Sequence, residues 1–377
     1  MSLPPAHPKS PARKPSVPAP RKWSQASPIA EEESAKPPGM PAKKYTPTVK
    51  AYKNAEFLGS SQARLLRIMC EYEETMLRLK RHKIRATILV FGSARAKSRE
   101  EWAAALAAAR ALEAAAAAGE ARAAATKAAR KIERTAWMGD MTDKIVELSR
   151  LLTAWGVSDA CHLGRDHSIS GVTRYHFTDP RYASGGSGGG GGGGGNGHPR
   201  RLGSNVPSYG VLGEDVPGME QGVYICTGGG PGFMEAANKG AAMVPGAKNM
   251  GMGITLPFED GLNEFVTPEL AFEFHYFFTR KFWMVYHCQA LVVAPGGFGT
   301  LDELFEVLTL KQTGKIQQTL PVVLFGKTFW QTVVNWQALV DFGTIAQDDV
   351  NSLLFTDSEH EAFEFLVASL SKNNAHN

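Results

Sequence analysis

A glutamate and a glycine-rich turn stand together near residue 300, in an order that suits phosphate chemistry. Residues 295–303 read Pro-Gly-Gly-Phe-Gly-Thr-Leu-Asp-Glu. Glycines permit a tight turn, and a helix that begins there offers unpaired backbone N–H groups to an anion. Carboxylates in the same turn would repel a bound anion, so a simple phosphate cradle has no use for Glu303. The combination predicts a site that holds an anion and carries out chemistry beside it.

Two carboxylates in this turn also have a purely structural interpretation. Thr300 and Glu303 fit a capping box, in which the glutamate bonds back to the N–H of the cap residue. Asp302 would complement the helix dipole. Against this interpretation, burial and a bound anion would raise the pKa of Glu303 toward a value useful for acid–base work.

A second charged pair, Arg280 and Lys281, lies about one helix upstream in an aromatic run, residues 277–283. The guanidinium fork of Arg280 suits a phosphate or the leaving group of a reaction. The structural alternative is that both side chains extend along a helix edge toward water.

The elements that position these residues form an alternating pattern of strands and helices. Residues 290–294 are a continuous apolar run, typical of a buried parallel strand. A helix with Leu301, Leu304, Phe305 and Leu308 on one face follows. Further strands are predicted at 84–91, 223–226, 249–257 and 320–325, and helices at 60–83, 141–155, 267–287, 328–342 and 359–371. One more helix follows the turn at 227–232 and runs through Ala241. This order predicts an α/β protein with a doubly wound, mostly parallel sheet and helices on both faces.

Three of the predicted strands end in turns of small residues, which would meet at one carboxyl edge of the sheet. Three such turns favour a nucleotide-like or phosphorylated ligand. The candidate contacts are Gly92, Ser93, Gly228, Gly229, Gly230, Gly296, Gly297, Phe298, Gly299 and Thr300. Glu259 and Asn263 follow another strand and either bind sugar hydroxyls or belong to a solvated loop. The turns match neither the P-loop nor the GxGxxG pattern, and no acidic residue stands where a ribose contact is expected, which disfavours NAD.

Composition and charge exclude several classes of protein. No apolar run approaches the roughly 18 residues that a membrane helix needs. The net charge of +4 comes from residues 1–50, which contribute nine Lys/Arg and three Glu, or +6, and leave −2 for the remainder. A nearly neutral body argues against nucleic-acid binding. Four scattered cysteines without CxxC spacing predict reduced thiols in an intracellular, cytoplasmic protein and no zinc site.

Three segments lie outside the predicted domain core. Residues 1–47 hold twelve prolines and predict a disordered tail; its basic start allows a plastid transit peptide, although the prolines oppose the amphipathic helix of such peptides. Residues 101–134 are alanine-rich and predict a long exposed helix, with Gly119 as a potential break. Residues 156–220 contain eight consecutive glycines, Gly188 to Gly195, and predict a disordered insert. Residues 48–377 then form a single domain. The insert's His162, His167 and His176 are expected to be solvated, so we predict no metal.

The motif at 295–303 resembles PGGxGTxxE of the LONELY GUY (LOG) family, and Arg280-Lys281 resembles the partner motif of that family. These proteins are cytokinin riboside 5′-monophosphate phosphoribohydrolases, often mislabelled lysine decarboxylases. Residues 92–95 and 227–240 are similar to the longer, bacterial-type branch. The resemblance covers residues 50–100, 141–155 and 222–375; the tail, the alanine-rich segment and the glycine-rich insert depart from it.

The resemblance implies a Rossmann-like homodimer that hydrolyses the N-glycosidic bond of a nucleoside 5′-monophosphate without a cofactor. Arg280 and Glu303 match the catalytic pair. Lys281, Gly297 to Thr300 and Thr309 match substrate-binding positions, and Glu259 is a weaker match. Two alternatives remain open at this point: a non-catalytic nucleotide sensor, and a hydrolase of pyrimidine nucleotides. A decarboxylase that uses pyridoxal phosphate would need a Schiff-base lysine in a recognisable cofactor site, and Lys281 has a better explanation.

Overall fold

A computed structural model describes residues 48–163, 221–255, 261–317 and 319–373. Its centre is a sheet of seven parallel strands in the order β4-β3-β2-β1-β5-β6-β7. The strands are β1 Thr87–Phe91, β2 Tyr224–Thr227, β3 Met250–Ile254, β4 Ala271–Phe274, β5 Cys288–Val293, β6 Val322–Phe325 and β7 Leu353–Thr356. The chain leaves β1 toward one edge and returns to build the other half from β5. This is the doubly wound, Rossmann-like arrangement, and its topological switch point lies between β1 and β5.

Helices cover both faces of the sheet. In chain order the described α-helices are α1 Ala55–Gly59, α2 Arg64–Arg81, α3 Arg99–Ala115, α4 Glu120–Glu133, α5 Gly139–Val157, α6 Phe233–Ala242, α7 Phe277–Tyr286, α8 Phe298–Gln312, α9 Lys327–Val333, α10 Trp336–Asp341, α11 Gln347–Asn351 and α12 Glu359–Asn373. Short 3₁₀ turns lie at Ala51–Lys53, Ala136–Met138 and Pro268–Leu270. No helix in the described part of the chain has the length and apolar character needed to cross a membrane.

The two faces of the sheet carry separate apolar clusters, because successive strand residues point to opposite sides. Leu89 and Leu291 join the cluster beneath α2, α7 and α8. Ile88 and Val292 join the cluster beneath α5, α6 and α12. All five residues of β1 are buried, as expected for a strand at the centre of a doubly covered parallel sheet.

The prediction of a single helix at 267–287 is wrong for the first half of that range. Residues Ala271–Phe274 form the edge strand β4, and only Phe277–Tyr286 is helical. Phe272 and Phe274 are buried whereas Glu273 between them is exposed, which is the period of two that a strand requires. The aromatic residues of the two elements run together in sequence and hide this change of period. The strand β7 and the short helix α11 were not predicted.

The alanine-rich segment forms two helices, α3 and α4, because Gly119 adopts a positive φ of 99° between them. They pair as a hairpin: Trp102 Nε1 donates to the carbonyl of Ile132 at 2.8 Å. Thr126 Oγ1 donates to Glu113 Oε1 at 2.6 Å. Ser98 and Glu101 close a capping box at the start of α3.

The predicted start of the insert, at residue 156, is wrong because the ordered domain continues beyond it. Helix α5 continues to Val157, and Cys161 and Leu163 are buried in the core. These apolar side chains anchor the segment that precedes the glycine-rich stretch. Residues 164–220, which contain that stretch, lie outside the described residues, as do residues 1–47 of the predicted tail. The described residues from Asn54 onward form one compact unit.

Candidate functional site

Three turns meet at the switch point of the sheet. Ser93 N, in the turn after β1, donates to the carbonyl of Pro295, in the turn after β5, at 2.9 Å. The carbonyl of Ser93 accepts from Phe233 N, at the start of α6, at 3.2 Å. The structure therefore brings Gly92 and Ser93 together with the turns that follow β2 and β5, as their sequence positions predicted.

Close approach explains why these turns require small residues. A Cβ on Gly92 would lie 2.7 Å from Phe233 Cβ and 3.0 Å from Ala294 Cβ. Gly232 has a φ of 74°, and a Cβ there would overlap the carbonyl oxygen of Ser93. Larger residues would separate the turns and open the site.

Helix α8 presents its N-terminus to the space between the turns. Gly297 is the cap residue, and it has no side chain with which to cap the helix. The first helical hydrogen bond runs from Leu301 N to Gly297 O, so the backbone N–H groups of Phe298, Gly299 and Thr300 precede it and are available to a ligand. A Cβ on Gly297 or Gly299 would meet nothing within 4 Å. This open N-terminus has the geometry of an anion site.

A buried ion pair lies beside this N-terminus. Arg280 Nη2, on α7, donates to Glu303 Oε1, on α8, at 2.5 Å, and the two side chains are 10% and 13% exposed. Gly228, in the turn after β2, packs against the pair, because a Cβ there would lie 3.8 Å from Arg280 Nη1. The Arg280 Nε atom is buried without a hydrogen-bond partner in the described structure.

Burial dominates the electrostatics of Glu303. It raises the pKa of this carboxyl to about 7, although the positive charges of Arg280 and Lys281 act in the opposite direction. A carboxyl that titrates near neutrality can exchange protons at physiological pH. Strongly shifted groups of this kind are concentrated at functional sites.

The capping-box interpretation of Glu303 is wrong. Helix α8 begins at Phe298 rather than after Thr300, so Thr300 is an internal helical residue and not the cap. Glu303 uses its Oε1 atom to accept from Arg280 instead of a backbone N–H. The glycine turn extends the helix by one turn toward its N-terminus, and sequence periodicity alone does not show this.

Lys281 has a different environment from that of Arg280. Its Nζ atom contacts Asp302 Oδ2 at 2.6 Å and Glu306 Oε2 at 2.9 Å. Burial lowers the pKa of Lys281, but the hydrogen bonds and charges of the two carboxylates outweigh burial and raise the pKa overall. Asp302 therefore fixes Lys281 as an ammonium in addition to any effect on the helix dipole.

A buried polar network holds the turn of Gly228, Gly229 and Gly230. Asn263 Nδ2 donates to the carbonyls of Gly229 and Gly230 at 3.1 and 3.2 Å. It also donates to Asn238 Oδ1 at 3.0 Å, and Thr227 Oγ1 donates to the same atom at 2.7 Å. The side-chain amide of Asn263 therefore lies against this turn and supports it through these hydrogen bonds. Sequence reasoning missed Asn238, although it lies within the quoted motif 227–240.

The remaining predicted contacts are more distant or cannot be placed. Thr309 lies on α8 six residues beyond Glu303, about 9 Å along the helix axis, and its hydroxyl donates to the carbonyl of Phe305 at 2.7 Å. Glu259 lies outside the described residues. Gly296 lies directly under Thr300, whose side chain would overlap a Cβ at that position.

Glu71, on α2, is a positioning residue that the sequence did not reveal. Its carboxylate accepts from His275 N at 2.8 Å and from the hydroxyl of Thr279, one residue before Arg280. It therefore ties the first turn of α7 to α2. In the sequence Glu71 is one of several acidic residues on the polar side of a helix, so no local pattern distinguishes it.

Among the residues that the structure describes, no group of three or more His, Cys, Asp or Glu side chains is arranged to hold a metal ion. His162 belongs to the described part, whereas His167 and His176 lie outside it. The described residues at the switch point include the guanidinium of Arg280, the carboxyl of Glu303 and the backbone N–H groups at the start of α8. This set suits an anionic organic ligand and proton transfer.

A comparison with known protein families finds a match over the part of the chain that contains α7 and α8. A family model described as "possible lysine decarboxylase" matches residues 234–366, a range that contains both Arg280 and Glu303. The chain is similar to this family over that range, and the match supports an enzyme of the group. No curated protein matches the chain. The turns at Gly92 and Gly228 lie before the matched range.

Proposed function

We propose that this protein hydrolyses the N-glycosidic bond of a purine nucleoside 5′-monophosphate, AMP or an N6-modified AMP such as a cytokinin nucleotide. The products are the free base and ribose 5-phosphate. The observation that carries the proposal is the buried Arg280–Glu303 pair beside the open N-terminus of α8. The resemblance to the LOG family implies the same reaction, and the match to the family model over residues 234–366 is consistent with an enzyme of that group.

In this proposal the helix N-terminus binds the 5′-phosphate. The free N–H groups of Phe298, Gly299 and Thr300 point toward the anion, and the helix dipole adds to the attraction. The phosphate does not itself react, and its binding energy orients the sugar for the reaction at C1′. The turn of Gly228 to Gly230 lies beside Arg280 and bounds the space that remains for the ribose.

Glu303 acts at the reacting carbon. Cleavage of an N-glycosidic bond passes through an oxocarbenium-like state, and the Glu303 carboxylate stabilises the positive charge that develops on the sugar. The bond between C1′ and the base nitrogen breaks, and its electron pair leaves with the base. Water adds to C1′ and transfers a proton to Glu303. The base takes up a proton from the solvent, and Glu303 returns its proton to the solvent, so one water is consumed in each turnover. Arg280 either binds the phosphate or stabilises the departing base.

The decarboxylase description of the family model has weaker support at this site. A lysine that forms a Schiff base must reach its neutral amine form. Lys281 contacts two carboxylates, which raise its pKa. These contacts favour the ammonium form and oppose that role.

The test is release of free base from AMP and from N6-isopentenyl-AMP by purified protein, followed by chromatography. We expect Glu303→Gln to retain nucleotide binding and to lose turnover by about 10²–10⁴-fold, the usual contribution of a positioned proton-transfer group. Glu306→Gln is the matched control, because it removes a carboxylate of the same helix that contacts Lys281 and not Arg280.

Other outcomes separate the alternatives. Nucleotide binding by calorimetry without release of base would favour a sensor. Release from CMP or UMP at the rate seen with AMP would favour a broader hydrolase. Equal turnover by wild type and Glu303→Gln would exclude the proposed role of Glu303.

A further inference from the structure

A second cavity lies at the C-terminal half of α8, away from the Arg280–Glu303 pair. Its volume is about 310 Å³, and α8, α10 and α11 form its walls. Most of the lining is apolar, with the rings of Phe305 and Trp336 and the side chain of Leu339. A cavity of this size with apolar walls and a few polar groups has the character of a small-molecule site.

One cation is buried in this cavity. Lys311 is only 8% exposed, and its Nζ atom donates to Ser352 Oγ at 3.2 Å. An ammonium group has three N–H donors, so one hydroxyl does not satisfy it. Burial accordingly lowers the pKa of Lys311, and the charge of Asp349 only partly opposes that effect.

The helix dipole does not explain why this lysine is buried. Lys311 lies in the last turn of α8, where a positive charge is favourable. An exposed lysine would gain the same interaction without losing its hydration. Lys372, in the last turn of α12, is such an exposed residue. A buried charge is costly unless it is paired and hydrogen-bonded, and an anionic group bound in the cavity would pair with Lys311.

Two carboxylates face the same cavity from α11. Asp349 is engaged in the fold, since its Oδ2 atom accepts from Gln312 Nε2 and from Ala346 N, each at 2.9 Å. Asp348 is exposed and also lines the cavity. A simple anion would be attracted by Lys311 and repelled by these two residues. A zwitterion satisfies both charges.

We propose that this cavity binds a free α-amino acid with a large apolar side chain. The carboxylate of the amino acid contacts Lys311 and Ser352, its ammonium contacts Asp348, and its side chain packs on Trp336 and Leu339. Arg280 and Glu303 do not line this cavity, and Thr309 is the one predicted substrate contact that does. The proposal does not depend on hydrolase activity.

The test combines calorimetry and thermal melting with L-phenylalanine and L-leucine as probes. We expect wild type to bind at least one of them and to melt at a higher temperature in its presence. Lys311→Met should weaken binding by about tenfold or more, while the unliganded variant melts no lower than wild type, because a poorly satisfied buried charge is removed. Lys372→Met, the matched control, should bind like wild type.

Two ligand analogues test the zwitterion. 3-Phenylpropionate lacks the ammonium and phenethylamine lacks the carboxylate, and we expect each to bind about tenfold or more weakly than L-phenylalanine. Asp348→Asn should likewise weaken L-phenylalanine binding. The proposal is overturned if wild type binds neither amino acid, if Lys311→Met binds as wild type does, or if 3-phenylpropionate binds as well as L-phenylalanine.

Discussion

Glu303 combines two properties that a surface carboxylate lacks. It is withdrawn from water, and it faces one guanidinium at hydrogen-bond distance. Burial alone would favour its neutral form, whereas Arg280 favours the ionised form. The balance places its pKa near 7, so a modest change in its surroundings changes its charge.

This balance predicts the pH dependence of turnover. If the ionised form stabilises the sugar cation, kcat/KM should rise with pH and level off above an apparent pKa of about 7. The profile of kcat/KM reports the free enzyme, so it is the appropriate measurement. A profile without an ascending limb in this region would contradict the role of the ionised carboxylate.

The same group links stability to pH. The folded-state pKa of Glu303 is raised above the ordinary value of 4.5 for this carboxyl, so its contribution to stability is fully present below about 4.5 and is lost as pH rises through about 7. Wild type should therefore lose free energy of unfolding relative to Glu303→Gln across this window. Denaturant melts of both proteins at several pH values measure the difference, and parallel curves would show that the pKa is not raised.

The sequence predicted the principal residues of the site better than their partners. The glycines follow the ends of predicted strands, and Arg280 and Glu303 stand in short motifs on helices α7 and α8, so local order is enough to place them. The link between Lys281 and Asp302 and the network around Asn238 join residues of different elements. Such contacts depend on packing in three dimensions, and no local spacing encodes them.

Helices α5 and α6 approach each other closely at Gly240. A Cβ there would overlap the carbonyl oxygen of Val146, a backbone atom that cannot move aside alone. We expect Gly240→Ala to destabilise the protein by about 1–3 kcal/mol, the usual cost of overpacking. Gly59→Ala is the control, since a Cβ there would meet nothing within 4 Å. Thermal or denaturant melts of the two variants compare them, and equal stabilities would refute the close approach.

At the level of elements, continuous apolar runs were predictable and segments of mixed character were not. Strands β1, β5 and β6 are buried on both faces and read as continuous apolar segments. Strand β4 is only four residues long and lies at the sheet edge, and its aromatic residues merge with those of α7. Strand β7 is equally short, and two of its residues are only partly buried. The edge strands β4 and β7 are extended because each pairs with a neighbouring strand. The sequence of the segment alone does not show that pairing.

For the whole molecule we predict a homodimer that covers Phe298. This side chain is 93% exposed beside the proposed site, and a groove of about 600 Å³ that Phe298 lines runs along α8. Light scattering after size exclusion should give twice the chain mass of 40.7 kDa. Phe298→Asp should shift the protein toward monomer.

Phe342→Asp provides the control, because Phe342 is also highly exposed, at 84%, and lies outside that groove. It should remain a dimer. Monomeric wild-type protein, or a Phe298→Asp variant that dimerises as strongly as the control, would contradict this interface.

The position of β1 at the centre of the sheet also constrains how the chain reaches its native state. β1 pairs with β2 and β5, and residues 92–223 and 92–287 separate it from these two partners. Pairing between such distant segments slows folding, because the intervening chain must close before any contact forms. During synthesis β1 is made before β2 and β5, so one of its edges stays unpaired until β5 has been synthesised. Until then its apolar residues and unpaired edges are exposed, which makes this part of the nascent chain prone to aggregation and a target for chaperones.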